Sequence, residues 1–496
     1  MECKGVIGLG ANCRPGVSET PNPKIQAPEK IQAPNSNGLC ILKLSIYLAR
    51  IWALNEASIL LMESFPQNVT SRREFLKTSA LVGGALATPA LLPSNLFANP
   101  NSETLRIGLI GCGGRGSGAA NQALSADKNV VLVAMGDAFE DRLQGSLKNL
   151  QASHADKVKV TPDKCFVGLD AYQKVIDSGV DVVLLTTPPG FRPVHLKAAI
   201  AAGKHVFTEK PMATDAPGVR MVLAAAEEAK KKNLSVVAGF CYRYNTGVRA
   251  IMNKIHEGAI GDIRALQTTY DTGPVWSPFP RQPEWTDIQY QIKNWYYYSW
   301  LSGDHIAEQA VHSIDKMSWA MKDVPPVKCV ALGGRQARTA PEYGNIFDHF
   351  SVVYEYASGA RGFHNCRQQA GCFSDNSDYI MGSDGIAHIV RAFSGPFVIK
   401  GKSDWRFHEE KASDMYQNEH DQFFASIRDG KPINDGVWMA HSTLLALMGR
   451  MAAYTGQEVT WEAAMNSQET LVPENLTWQT PAPIVQVAVP GQTRFV

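Results

Sequence analysis

The chain has 496 residues, 45% of them apolar and 19% charged, with a formal net charge of +1 and nine cysteines. That length suits two ordinary domains plus extensions and is enough to bury large cores. The balanced charge argues against nucleic acid or an anionic surface as the main partner, and the absence of any C-x-x-C pair argues against a zinc ribbon or a redox dithiol.

Residues 1–61 do not read as a folded domain: 14–36 are rich in Pro, Asn and Ser, and the apolar stretch at 41–61 carries Lys43, Arg50 and Glu56. Residues 62–98 read as an export signal. Arg72 and Arg73 precede Glu74-Phe75-Leu76-Lys77, an apolar run follows, and Ala98 is a cleavage candidate. This order of basic, apolar and small residues resembles a twin-arginine signal; the alternative is the start of a buried helix. The run is short of the roughly 20 apolar residues a span needs, and no Cys follows it closely, so no stable membrane anchor is expected. Met62 is the expected true initiator, and peptides from 1–61 in the native protein would contradict that. The expected location is periplasmic or otherwise exported, and cytoplasmic if the signal does not function.

Residues 104–239 read as a dinucleotide-binding domain. "LRIGLIG" is a buried parallel strand, followed at once by Gly111-x-Gly113-x-x-Gly116 and a helix. Glycines let the turn tighten and let the backbone approach a pyrophosphate, and the helix start supplies free N–H groups. Gly111, Gly113, Gly114, Arg115 and Gly116 are therefore expected at the cofactor. The next strand ends at Asp137, where a carboxylate can accept from a ribose 2′-OH and repel a 2′-phosphate. That favours NAD, with NADP as the alternative because Arg115 or Arg142 can pair with a phosphate. Alternating helices and strands continue to "LSVVAGF", giving a doubly wound α/β sheet. Thr187, Pro188, Glu209 and Lys210 end strands at its carboxyl edge, where ligands bind; His195 on the next helix joins the expected cofactor residues.

Residues 240–472 read as an α+β domain with an open, mainly antiparallel sheet. Hairpins are expected around Ser358-Gly359 and Ser383-Asp384-Gly385, with further strands in "GDIRALQTTYD", "KCVALGG" and "PFVIKG" and closing helices in "NEHDQFFASIRDG" and "GVWMAHSTLLALMGRMAAYTG". Residues 473–496 form an extended tail. Cys366 and Cys372 are close enough in sequence to meet across a turn. Tyr242, Arg243 and Tyr244 follow the last Rossmann strand and are expected to border the site, Arg243 and Tyr244 on the substrate side, with cofactor binding as the alternative for Arg243. The Pro-rich aromatic stretch 271–300 is read either as a platform for sugar rings or as core or oligomer contact.

On "GLIGCGGRG", "TTPPGFRPVHLKAAIAAGKHVFTEKP", "GFCYRYN", "GDHIAEQAVHSIDKMSW" and "HDQFFASIRDGKP", the chain resembles the glucose–fructose oxidoreductase / inositol dehydrogenase / MocA (Gfo/Idh/MocA) family over roughly residues 104–450. The resemblance implies an NAD(P)-dependent oxidoreductase acting on CH–OH groups of a small carbohydrate or cyclitol. It also implies a sheet with one face for substrate and another for assembly, hence a homo-oligomer, a dimer or tetramer. Removing a hydroxyl proton calls for a base within hydrogen-bond reach. Lys210 is the first catalytic candidate, to stabilise the alkoxide. Asp304, Glu308, His312 and Asp315 are spaced i, i+4, i+8, i+11 and are expected on one helix face. Family members often place Asp and His four apart here; this chain has Glu308 and His312. His312 is read as proton acceptor or relay, and Glu308 as its orienter or a ligand of sugar hydroxyls. Asp304 and His305 are further substrate candidates. His305, Glu308 and His312 are also capable metal ligands, but no metal is expected. A redox-neutral NAD-dependent glycosidase or epimerase, and a non-catalytic sugar or nucleotide binder, are the competing functions.

Overall fold

The computed structural model describes residues 103–390, 395–409, 414–484 and 486–495. The expected export signal and the extension before it lie outside the described residues. Among the described residues, no helix is long and apolar enough to cross a membrane.

The first half is a six-stranded parallel sheet. Its strands are β1 (Leu105–Ile110), β2 (Val130–Asp137), β3 (Cys165–Val167), β4 (Val182–Leu185), β5 (His205–Thr208) and β6 (Val236–Ala238), in the order β3-β2-β1-β4-β5-β6. Short runs such as "VVLL" are buried throughout, because helices cover both faces of a doubly wound sheet and leave no strand face for water. The crossovers are α1 (Gly114–Ala126), α2 (Glu140–Ser153), α3 (Ala171–Asp177), α4 (Arg192–Ala201) and α5 (Ala216–Lys231). Of these elements, α2 and β3 were not legible as separate units in the sequence.

After α6 (Thr246–His256) comes a nine-stranded sheet made of β7 (Ile263–Thr272), β8 (Lys328–Gly334), β9 (His349–Glu355), β10 (Arg361–Gln368), β11 (Asp378–Gly382), β12 (Gly385–Ile389), β13 (Phe397–Gly401), β14 (Trp405–Arg406) and β15 (Val459–Thr460). Its order is β14-β13-β12-β11-β7-β10-β9-β8-β15. Both expected hairpins are present, as β9–β10 and β11–β12, and the one parallel neighbour pair is β7 with β10. Cys366 is buried on β10 while Cys372 is exposed, and the six described cysteines are free thiols; the pairing open in the sequence does not form.

Four helices lie between β7 and β8: α7 (Asp287–Lys293), α8 (Ser299–Ser302), α9 (His305–Glu308) and α10 (Val311–Ala320). After β14 come α11 (Met415–Arg428), α12 (Gly436–Thr455) and α13 (Trp461–Asn466). The two expected closing helices reach back to the first half. α11 packs on α1, and α12 lies between α5 and β8. One continuous apolar core therefore runs from the parallel sheet through α12 to the second sheet, which fixes the nucleotide edge against α9 and α10.

Candidate active site

β1 runs into Gly111, whose φ is +96°, and a Cβ there would lie 2.7 Å from the Thr187 amide nitrogen. A Cβ on Gly116 would run into the Gly111 carbonyl. Only glycine lets the first turn of α1 sit this close to β1 and β4. Around Gly113 and Gly114, by contrast, a Cβ would meet no protein atom within 4 Å, so that side of the loop is open to a ligand. Asp137 accepts the amides of Cys112 (2.6 Å) and Phe139 (2.9 Å). Each carboxylate oxygen keeps a lone pair for a further donor. Burial nonetheless pushes this carboxyl upward, against the pull of those two amides.

A cavity of about 700 Å³ opens at this edge. Gly111, Gly113, Gly114, Arg115, Gly116 and Asp137 line it on the loop side; Thr187, Pro188, His195, Glu209 and Lys210 line it from β4, α4 and β5; and Glu308 and His312 line it from the second half. Lys210 Nζ donates to the Glu308 carbonyl and, at 2.9 Å, to Glu308 Oε1. Glu308 Oε2 and His312 Nδ1 are buried without a protein partner. His312 packs edge-on against Phe240 and Tyr242, with centroids 6.1 and 4.9 Å away. Burial first, then Lys210, Lys316 and Arg115, pushes its imidazole far toward the neutral form. The site thus joins a proton acceptor, an ammonium donor and an unoccupied carboxylate oxygen.

Arg115 lines the cavity but is tied to Glu209, to Gln122 (2.9 Å) and to Glu419 (3.3 Å). Burial and the nearby Glu209 hold Glu419 well above the usual carboxylate range. His195 stacks on Tyr172 at 4.1 Å and is pushed down to about 3 by burial and by Arg192. Arg192 was not singled out in the sequence. It is 2% exposed and donates to the carbonyls of Thr187 and Pro211, so one guanidinium clamps together the two loops that carry the edge residues. Its only sequence signal is its place at the start of α4.

Four expected substrate residues fall elsewhere. Arg243 forms a buried fork with Asp315 (2.8 Å) and with Asp323, and lies 3.9 Å over the Trp438 ring. The Tyr244 hydroxyl donates to Asp435 at 2.8 Å. Asp304, at φ +73°, accepts from the His305 and Phe347 amides and from the Tyr454 hydroxyl. The His305 ring sits against Asp304 and the Phe347 carbonyl with no exposed surface. The single helix face expected over 304–315 is two helices, α9 and α10. The break turns Asp304, His305 and Asp315 into the core and leaves Glu308 and His312 at the cavity. No cluster of metal-ligating side chains occurs among the described residues.

The aromatic stretch divides between its two readings. A capping box of Thr286 and Gln289 starts α7; Tyr296, Tyr297 and Trp300 are buried, while Trp276, Phe279 and Trp295 line the cavity. The stretch also reaches the first half. Lys293 pairs with Asp141 at 2.9 Å and lies 4.2 Å from the Phe139 ring, and the Arg142 guanidinium lies 5.8 Å from the Phe279 ring. From the tail, Trp478 packs on Phe139 at 5.8 Å.

The glycine turn, the open approach at Gly113 and Gly114 and the carboxylate at the end of β2 fit a dinucleotide. A family described as "Oxidoreductase family, NAD-binding Rossmann fold" matches residues 105–238, and the GFO/IDH/MocA C-terminal domain matches residues 248–388. An inositol 2-dehydrogenase of Rhizobium meliloti is 25% identical over 67% of this chain and 93% of its own length. The fold is shared with an aldose-aldose oxidoreductase of Caulobacter crescentus (TM-score 0.58, 18% identity, 72% of this chain, 100% of that one). It is also shared with a levoglucosan dehydrogenase solved with NADH and L-sorbose (TM-score 0.58, 19% identity, 72% and 99%).

Proposed function

The chain belongs to the Gfo/Idh/MocA oxidoreductase family, and on that premise we propose that it oxidises a hydroxyl of an uncharged sugar or cyclitol and keeps its nicotinamide cofactor bound after export. It is an NAD(P)-dependent oxidoreductase acting on CH–OH groups. The observation that carries the finer reading is the convergence of Lys210, Glu308 and His312 in one cavity with the glycine loop.

Gly111 to Gly116 and Asp137 would hold the dinucleotide, which supplies the hydride acceptor when bound; a retained cofactor would have to be reoxidised in place by a carbonyl substrate before the next turnover. The residues of the chain do the rest. Neutral His312 takes the hydroxyl proton. Lys210 donates to the same substrate oxygen and stabilises it as negative charge develops, in a site where little water screens the charge. Glu308 holds Lys210 with one oxygen. An uncharged polyol suits this donor set. Lys210 is engaged with Glu308, Arg115 with Glu209 and Glu419, and Arg192 with two carbonyls. A carboxylate or phosphate on the substrate would meet Glu308 and no uncommitted cation among these three.

Retention of the cofactor is supported by a strap, made of the aromatic stretch 271–300 and the tail, that reaches the first half through Lys293–Asp141, Phe279 beneath Arg142 and Trp478 on Phe139. The twin-arginine pattern supports export of the folded, loaded protein. A homo-oligomer is supported by apolar residues on the open sheet, among them Leu332 at 78% exposure, Phe363 and Ile386. The test is to purify the exported protein, denature it and assay the supernatant for NAD(H) and NADP(H). The native protein is then incubated with myo-inositol, levoglucosan and L-sorbose, and products and NADH are both followed. Near-stoichiometric nucleotide with product formation supports the proposal. Empty protein that releases NADH rapidly from added NAD sinks the retention, and product without net redox change moves the assignment to the glycosidase or epimerase chemistry.

A further inference from the structure

One helical turn beyond His312, on the same side of α10, lies Lys316. Its side chain has no exposed surface, and it pairs with Asp378 at the start of β11, which has none either. Neither residue lines the cavity. A fully buried ion pair gives up two hydration shells and is weak evidence for stability, so its position calls for another role. The Lys316 ammonium lies 4.9 Å from the centre of the Tyr242 ring, and Tyr242 in turn packs edge-on against His312 and lines the cavity. The pair therefore stands directly behind the wall that carries the imidazole.

We propose that Lys316 and Asp378 are a buried positioning pair that seats Tyr242 against His312 and keeps the imidazole in its proton-accepting form. This role rests on the reading of His312 as the base. The other charged or titratable groups around the imidazole are Lys210 at the end of β5, Arg115 on the nucleotide loop, Glu308 on α9, Tyr270 on β7 and Tyr242 itself. Lys210 is held by Glu308, and Arg115 by Glu209 and Glu419. Lys316 lies on the same helix, and its field at His312 is offset in part by Asp378.

The sign of the effect separates this role from plain packing. Lys316→Met removes the positive charge and should move protonation of His312 to higher pH. Asp378→Asn leaves the charge uncompensated and should move it to lower pH. Each shift should be about one pH unit, on the scale of a unit charge roughly one helical turn away. The measurement is a histidine NMR titration of the NAD-loaded full chain, with the His312 resonance assigned by its loss in His312→Asn. Opposite shifts support the pair's role; equal, same-direction or absent shifts overturn it. Should either single variant fail to fold, Lys316→Met/Asp378→Asn replaces the pair as a whole, which buried pairs often tolerate. In that variant an unmoved His312 titration overturns the role, and a shift to higher pH supports it. The titration needs no substrate. Full activity in His312→Ala would therefore sink the base assignment separately, while a native titration curve in the Lys316 and Asp378 variants would sink only this inference.

Discussion

Alanine substitutions along the nucleotide loop should separate what the fold requires from what the cofactor requires. At Gly116 a Cβ would overlap the Gly111 carbonyl and come within 2.6 Å of Thr186 Oγ1. Neither neighbour is the end of a flexible side chain, so α1 must move away from β1. Overpacking of this kind costs about 1–3 kcal/mol, and a displacement near 1 Å at a binding loop can cost on the order of 10²-fold. Gly116→Ala should therefore lower both the unfolding free energy and the affinity for NAD. Gly113 has φ −71° and no protein atom within 4 Å of its would-be Cβ. Gly113→Ala should leave stability within about 0.5 kcal/mol while weakening NAD at least about tenfold, because the added methyl occupies the space of the pyrophosphate. Gly114→Ala should follow Gly113→Ala. The assays are denaturant melts of the stripped protein and calorimetric titration with NAD. Native NAD affinity in both Gly113→Ala and Gly114→Ala would refute the placement of the dinucleotide at this loop. Native stability in Gly116→Ala would refute the packing argument.

Lys210→Ala should reduce turnover about 10²-fold or more, the scale of a positioned acid–base group, with cofactor content unchanged; activity near that of the wild type on a confirmed substrate removes Lys210 from the mechanism. Asp137→Ala should weaken NAD and relax discrimination against NADP, measured as the ratio of the two dissociation constants, and a wild type that already prefers NADP would make Arg142 the candidate phosphate partner. Lys293→Ala, which opens the Asp141 contact, should speed cofactor release without altering the fold, read by nucleotide fluorescence after dilution; an unchanged rate would mean the strap does not retain the cofactor. His364 is buried and pushed down to about 3, chiefly by burial. Below about pH 6.5 the unfolded chain takes up a proton there that the native chain refuses. The stability this histidine contributes is therefore present above pH 6.5 and is lost as pH falls toward 3. Relative to His364→Gln, the wild type should lose up to about 1.4 kcal/mol per pH unit in that window, measured by denaturant melts; parallel curves would count against it.

The amino-acid order by itself determined the parallel sheet, the glycine turn, Asp137 and the two edge loops, because each depends on local chemistry: period, turn geometry and the end of a strand. It also marked Lys210, Glu308 and His312, whose types suit proton transfer. It did not separate Glu308 and His312 from Asp304, His305 and Asp315. That depended on a chain break between α9 and α10 that helical spacing does not announce. Arg243 read as a ligand because a lone arginine carries no sign of its partners; only the tertiary structure brings Asp315, Asp323 and Trp438 around it. The same holds for Arg192, for the Lys316–Asp378 pair and for the return of α11 and α12 to the first half. Each is settled by contacts between residues far apart in sequence, where burial and charge pairing, rather than local preference, set the outcome.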